Sequence, residues 1–221
     1  LLKNVKCKRS VIKMDIKSFF NEAKTLYSVK DIIAVHTKMI FILESPHKEE
    51  IKAGVPLAGL SGRSMARELF RREDILPMGK LLKQFISENK ETIYGIVNVC
   101  PFPLQESAFP DAAFVESFKD EIKIAESVRV SSAKVFKDKD KETFDQLLQE
   151  DFGDRLLAAA KEDTMIVPCG KFAEKYVNKI PSLDKLNIIY GVPHPSYNSW
   201  SRERYKDVIH KIREEGNKRT S

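Results

Sequence analysis

Three short stretches combine residue types that can move a proton or read a nucleobase: Glu44-Ser45-Pro46-His47, Asn98, and His194-Pro195-Ser196. A carboxylate can activate a water and offset a developing cation. A carboxamide carries a donor and an acceptor side by side, which suits the edge of a nucleobase. An imidazole can donate or accept a proton near neutral pH. Each residue alone also has a plainer reading: a strand-end acid paired with a cation, an asparagine tying down its own turn, an imidazole bracing a loop. Their shared placement is what carries information, because each follows an apolar run.

Those runs are Met39 to Leu43, Thr92 to Val99, Thr164 to Pro168 and Leu186 to Tyr190, each the length of one buried strand. Each ends in polar, Gly or Pro residues and leads into a helical pattern. The alternation predicts an α/β fold: a three-layer sandwich with a central four-stranded, mainly parallel sheet flanked by helices. In such sheets ligands bind at the carboxyl ends of the strands, where these three stretches would meet. Helices are expected over 15–28 with Asp15 as N-cap, then 64–72, 81–89, 112–130, 142–162 with a break at Gly153, 171–177 and 201–215. The segment from Glu44 to Gly62 reads as a loop, as does the charge run Lys134 to Lys141.

A chain of 221 residues suits one domain and buries enough surface to need no staples. Its formal charge of +6 permits an anionic partner such as nucleic acid. The cysteines, Cys7, Cys100 and Cys169, are odd in number and form no CxxC pair. That spacing points to reduced thiols in a cytoplasmic setting and argues against a four-cysteine metal or iron–sulfur site. No apolar run approaches the ~20 residues of a membrane span, and no signal-peptide core follows the basic N-terminus. Residues 1–13 read as a flexible or processed leader.

Taken in order, the motifs resemble those of the uracil-DNA glycosylase superfamily. LESPHKEEIKAGVPLAG is similar to its first motif, VNVCPFP to the second-strand motif of the single-strand-selective monofunctional branch, VPCGKFAEKYV to the third-strand segment, and VPHPSYNSW to the terminal His-Pro-Ser motif. The resemblance covers about Phe41 to Trp200. It implies a single domain of that fold, a monomer that flips a base out of DNA and hydrolyses the N-glycosidic bond of uracil or a related deaminated base, in base excision repair. It implies no metal and no other cofactor. His194 would stabilise the leaving base, Asn98 would read it, and Glu44 would activate water as a glutamate does in the iron–sulfur branch. Ser45 stands where the single-strand-selective branch has an asparagine and would hold a water. His47, Leu57 and Phe102 would line the base site. Ser61, Arg63 and Ser196 would contact phosphates. Tyr197, Asn198 and Trp200 would form the wedge, with Trp200 stacking on bases, and Arg202 beside Arg204 and Lys206 would add phosphate contacts. The chain departs from the pattern at His47, where a glycine is expected, at Leu57, where an aromatic is expected, and in its three cysteines, where the iron–sulfur branch needs four. These departures keep two further expectations open: a nucleic-acid-binding module of the same fold without the chemistry, and a hydrolase of free nucleosides or nucleotides.

Overall fold

Five consecutive apolar residues, Met39–Leu43, form the strand with which two others pair. In the computed structural model, which describes residues 15–220, the order of elements is α1 (Ile16–Tyr27), β1 (Met39–Leu43), α2 (Lys48–Ala53), α3 (Leu60–Phe70), α4 (Met78–Ser87), β2 (Tyr94–Asn98), α5 (Ala112–Ser117), α6 (Lys119–Val130), α7 (Lys139–Ala159), β3 (Met165–Pro168), α8 (Lys171–Val177), β4 (Asn187–Ile188) and α9 (Lys206–Thr220). The strands make one parallel sheet in the order β2-β1-β3-β4. Leu43 pairs with Asn98 and Ile42 with Pro168, so all three long strands end at the same edge.

Both faces of this sheet are covered, as a parallel sheet requires. Ile40, Ile42, Val97, Val99 and Ile166 face a core shared with α1, α5, α6, α7 and α8, while Met39, Phe41, Leu43, Ile96 and Val167 face a second core shared with α3, α4 and α9. The chain is therefore a three-layer α/β sandwich with a four-stranded sheet, as the alternation of apolar runs and helical patterns predicts. The leader assigned to residues 1–13 lies outside the described residues, as does Cys7; Cys100 and Cys169 are free and buried. No helix among the described residues is long and apolar enough to cross a membrane.

The helices follow local chemistry. Asp15 caps α1, its Oδ1 accepting the Ser18 N–H at 2.7 Å, and Asp138 caps α7 through the Lys141 N–H at 2.9 Å. The charge run expected as a loop thus supplies the cap and first turn of α7, and α7 continues through Gly153 without a break. The single helix expected over 112–130 divides at Phe118, whose φ of −118° and ψ of 26° leave the helical region. Its ring turns into the core against Phe114 at 4.8 Å. The segment expected as a loop after β1 holds α2 and the first turn of α3. The fourth strand is shorter than 186–190, pairing with β3 only at Asn187 and Ile188; a bridge from Cys169 to Val192 continues it.

One close approach fixes the wall beside β1. The Pro56-Leu57 backbone lies directly on the N-terminal turn of α4, where a Cβ at Gly79 would meet the Pro56 oxygen at 1.7 Å. Gly79→Ala is expected to cost at least about 2 kcal/mol in urea unfolding, through overpacking. Gly153→Ala, whose Cβ finds only ordinary contact with Ile180 at 3.9 Å, is expected to stabilise α7 by about 0.5–1 kcal/mol.

Candidate functional site

The polar residues at the strand exits line one pocket of about 540 Å³ at the carboxyl edge of the sheet, within the ~300–1,000 Å³ of small-molecule sites. Glu44, Asn98 and His194 all contribute to its wall. Glu44 follows β1 directly, Asn98 is the last residue of β2, and His194 follows the bridge that prolongs β4. The three chemistry-bearing stretches are thus brought together by strand register.

Asn98 is the most unusual of the three. Its side chain is 1% exposed, and neither its Oδ1 nor its Nδ2 has a hydrogen-bond partner in the protein. Each such buried atom costs about 1–3 kcal/mol until something in the pocket pairs with it. The asparagine does not tie down its own turn; it lines the pocket with both polar atoms of its carboxamide buried and unpaired.

His194 is held from several sides. The Ser196 N–H donates to its Nδ1 at 3.3 Å, and the Ser196 hydroxyl lies 2.9 Å from the same nitrogen. A backbone N–H can only donate, so Nδ1 is an acceptor and the neutral ring carries its proton on Nε2. The His194 carbonyl accepts from the Ser199 hydroxyl. Behind the ring, Gly170 has φ of +92°, and a Cβ there would stand 3.1 Å from the His194 Cβ. Burial pushes the His194 pKa below its ordinary 6.5; Glu44 opposes this and Arg129 adds to it.

Arg129, from α6, was not legible as a site residue. Its Nε donates to Glu44 Oε1 at 2.6 Å, with both side chains about a quarter exposed at 24% and 25%. Gln105, with its oxygen turned toward the guanidinium, accepts from Arg129 Nη2 at 2.6 Å. Glu44 is therefore the ion-paired strand-end acid of the plainer reading, with Oε1 engaged by Arg129.

Glu50 is a second residue that sequence reasoning missed. Its Oε2 accepts the His47 N–H at 2.8 Å, and its Oε1 accepts the Leu57 N–H. One half-buried carboxylate thus ties both ends of the loop over α2. Burial raises its pKa, and the two backbone donors pull the other way. The signal was present: His47 and Glu50 have the spacing of an N-cap and N3 pair.

The remaining expectations divide. Ser45, His47, Leu57, Ser61, Ser196 and Tyr197 line the pocket with the three central residues. Leu57 does so with a positive φ of 50°. Phe102 does not: it is fully buried against Phe20 at 5.1 Å, because Pro101 and Pro103 turn the chain into the core. Trp200 is corrected likewise. It is 1% exposed, its Nε1 donates to the Pro193 carbonyl at 2.9 Å, and its ring meets Phe41 edge-on at 5.9 Å, so it cannot stack on a base. Arg63 and Arg202 are exposed and stand outside the wall of this pocket; Arg202 donates to the Tyr197 carbonyl at 2.9 Å. Asn198 accepts from the Ser64 hydroxyl at 2.7 Å, tying this loop to α3. Tyr197 and Asn198 both have left-handed backbones, with φ of 54° and 51°. The exposed apolar residues at the pocket are Leu60 and Tyr197, 85% and 89% accessible. No cluster of three or more His, Cys, Asp or Glu suited to a metal occurs among the described residues.

No protein-family model matches the chain, and no curated protein is similar enough to count as a relative.

The lowered His194 pKa has a definite sign in stability. The unfolded chain takes up this proton near pH 6.5 while the folded chain still refuses it, so stability is full above that pH and falls as pH drops below it. His194→Gln is expected to flatten this part of the profile below about pH 6.5, where the slope from one such group is at most about 1.4 kcal/mol per pH unit, in urea midpoints measured against pH. Glu50→Ala strands the N–H of buried Leu57 and frees that of exposed His47, and is expected to cost about 1–3 kcal/mol in the same assay at pH 7.

Proposed function

We propose that the chain is a DNA glycosylase of the uracil-DNA glycosylase type, hydrolysing the N-glycosidic bond of uracil or a related deaminated base. The observation that carries this reading is the unpartnered Asn98 carboxamide on the wall that it shares with His194 and Glu44. A buried donor and acceptor on one rigid side chain is what a pyrimidine edge requires, and uracil presents the complementary pair.

The chemistry follows from the groups present. A flipped nucleotide brings its base against Asn98, at the cost of a few kcal/mol in unstacking. The bond between C1′ and N1 breaks, and its electrons pass to the base, mainly onto N1 and O2. Neutral His194 donates from Nε2 toward that oxygen without having to give up its proton. Water adds to C1′, and its proton passes to Glu44 Oε2, the oxygen not engaged by Arg129. The base leaves as an anion and takes up a proton from solvent as Glu44 gives its own back, so the products are the free base and an abasic deoxyribose. The N-terminal turn of α3, Gly59 to Gly62, has no side-chain cap and borders the pocket, which suits a flanking phosphate. Leu60 and Tyr197 replace Trp200 as the residues fit to fill the gap left in the duplex.

One observation favours a second reading, a nucleic-acid-binding module of the same fold without the chemistry: Glu44 is paired with Arg129, which lowers its availability as a base. Salt-dependent DNA binding without base release is the outcome that would support it.

The test is incubation with oligonucleotides carrying U, hypoxanthine or xanthine, followed by alkali. Strand scission at the modified base is expected. Asn98→Ala and His194→Ala are each expected to lower the rate roughly 10²- to 10³-fold. Absence of scission on all three substrates would overturn the enzyme reading, and release from free deoxyuridine alone would favour a nucleoside hydrolase.

A further inference from the structure

The Asn98 carboxamide has no protein hydrogen bond to fix its orientation, so its aim must come from the backbone that bears it. That backbone is held with unusual thoroughness. β2 is an edge strand, and at Ile96 its outward N–H and C=O are met by Ile32, at 2.8 and 2.9 Å. Two residues further on, at Asn98, the same edge meets no strand, and side chains take over. Asp31 Oδ1 accepts the Asn98 N–H at 3.3 Å, and Arg155 Nη2 donates to the carbonyls of Asn98 and Val99 at 2.9 Å each. Arg155 Nη1 binds Asp31 Oδ2 at 2.7 Å and its Nε binds Asp151 Oδ2 at 2.8 Å. Lys24 also pairs with Asp151.

We propose that Arg155, together with Asp31, is a positioning residue that sets the aim of the Asn98 carboxamide by clamping its peptide groups on both sides. This inference rests on the reading of Asn98 as the base-recognising residue. A buried ion-pair network is weak evidence for stability, since apolar packing often does as well. An apolar residue could not donate to two backbone carbonyls and hold the Asp31 carboxylate that meets the Asn98 N–H, whereas the planar guanidinium can. The clamp is also local: it grips the last residue of β2 and the one after it, where the strand hands over to the pocket. A shift of about 1 Å in a reacting geometry can cost roughly 100-fold in rate, so the fork has a functional reason to be there.

The experiment is a double-mutant cycle with Arg155→Lys, Asn98→Ala and the pair, on single-turnover base release from a uracil-containing oligonucleotide, with DNA affinity and urea midpoints alongside. Arg155→Lys is expected to slow release roughly 10- to 100-fold, to leave DNA affinity within about twofold, and to cause no further loss in the Asn98→Ala background. An equal loss in both backgrounds, or none in either, overturns the proposal. If Arg155→Lys fails to fold, Asp31→Asn, which keeps the shape and an acceptor for the Asn98 N–H, takes its place in the cycle. If the parent releases no base from any substrate, the function fails, and the clamp is then read by NMR from the Asn98 side-chain NH₂ signals, identified by their loss in Asn98→Ala. Displacement or broadening of that pair in Asp31→Asn, with the other carboxamide signals unmoved, supports the clamp; an unmoved pair overturns it.

Discussion

A carboxamide buried with neither polar atom satisfied by the protein is the constraint on which this edge of the molecule depends. Left so, Asn98 opposes folding by a few kcal/mol, a large share of the 5–15 kcal/mol by which domains are stable. The rest of the fold has to supply that margin. It does so with two full cores, one on each face of a parallel sheet whose strands are buried along their length. The register that pairs Leu43 with Asn98 also puts Glu44 one residue beyond the sheet. Stability and site geometry therefore share one cause, the pairing of β1 with β2.

The loops around that edge are unequal. The one after β1 is rigid: Glu50 ties its ends, and its Pro56-Leu57 backbone is seated against α4. The loop after β4 is held at its base by His194, Ser199 and the Trp200 indole. At its tip it carries two left-handed residues and an exposed tyrosine. The pocket thus has a firm wall on the β1 side and an accessible tip on the β4 side.

Much of this was legible in the sequence because apolar runs and polar exits are local. The four strands, the layered architecture and the convergence of residues 44, 98 and 194 follow from reading each run with what comes after it. What was not legible depends on partners far apart in the chain. Arg155 reaches Asp31 across 124 residues and Arg129 reaches Glu44 across 85, and nothing in either helix marks the arginine as turned toward the strand ends. Trp200 and Phe102 failed for another reason. Each follows a polar or Pro-rich stretch, which suggested exposure, yet a large ring near a sheet edge gains more from the core, about 25 cal/mol for each Å² of apolar surface removed from water. Helix α2 was hidden because its sequence, KEEIKA, has no buried residue to give it a period.

The electrostatics of the pocket follow from the same geometry. Glu44 and Arg129 form a pair beside His194, and they act on its pKa in opposite directions. Their influences partly cancel, which leaves burial as the deciding cause, and burial favours the uncharged ring. A neutral imidazole whose Nδ1 is already occupied has one thing left to offer the cavity, the Nε2–H. An imidazolium would stabilise an anion more strongly, but it would need a carboxylate free of Arg129, and that carboxylate would then be spent on the histidine and unable to hold a water. The ion pair between Glu44 and Arg129 thus leaves burial to keep the histidine neutral, and it engages only one of the two carboxylate oxygens.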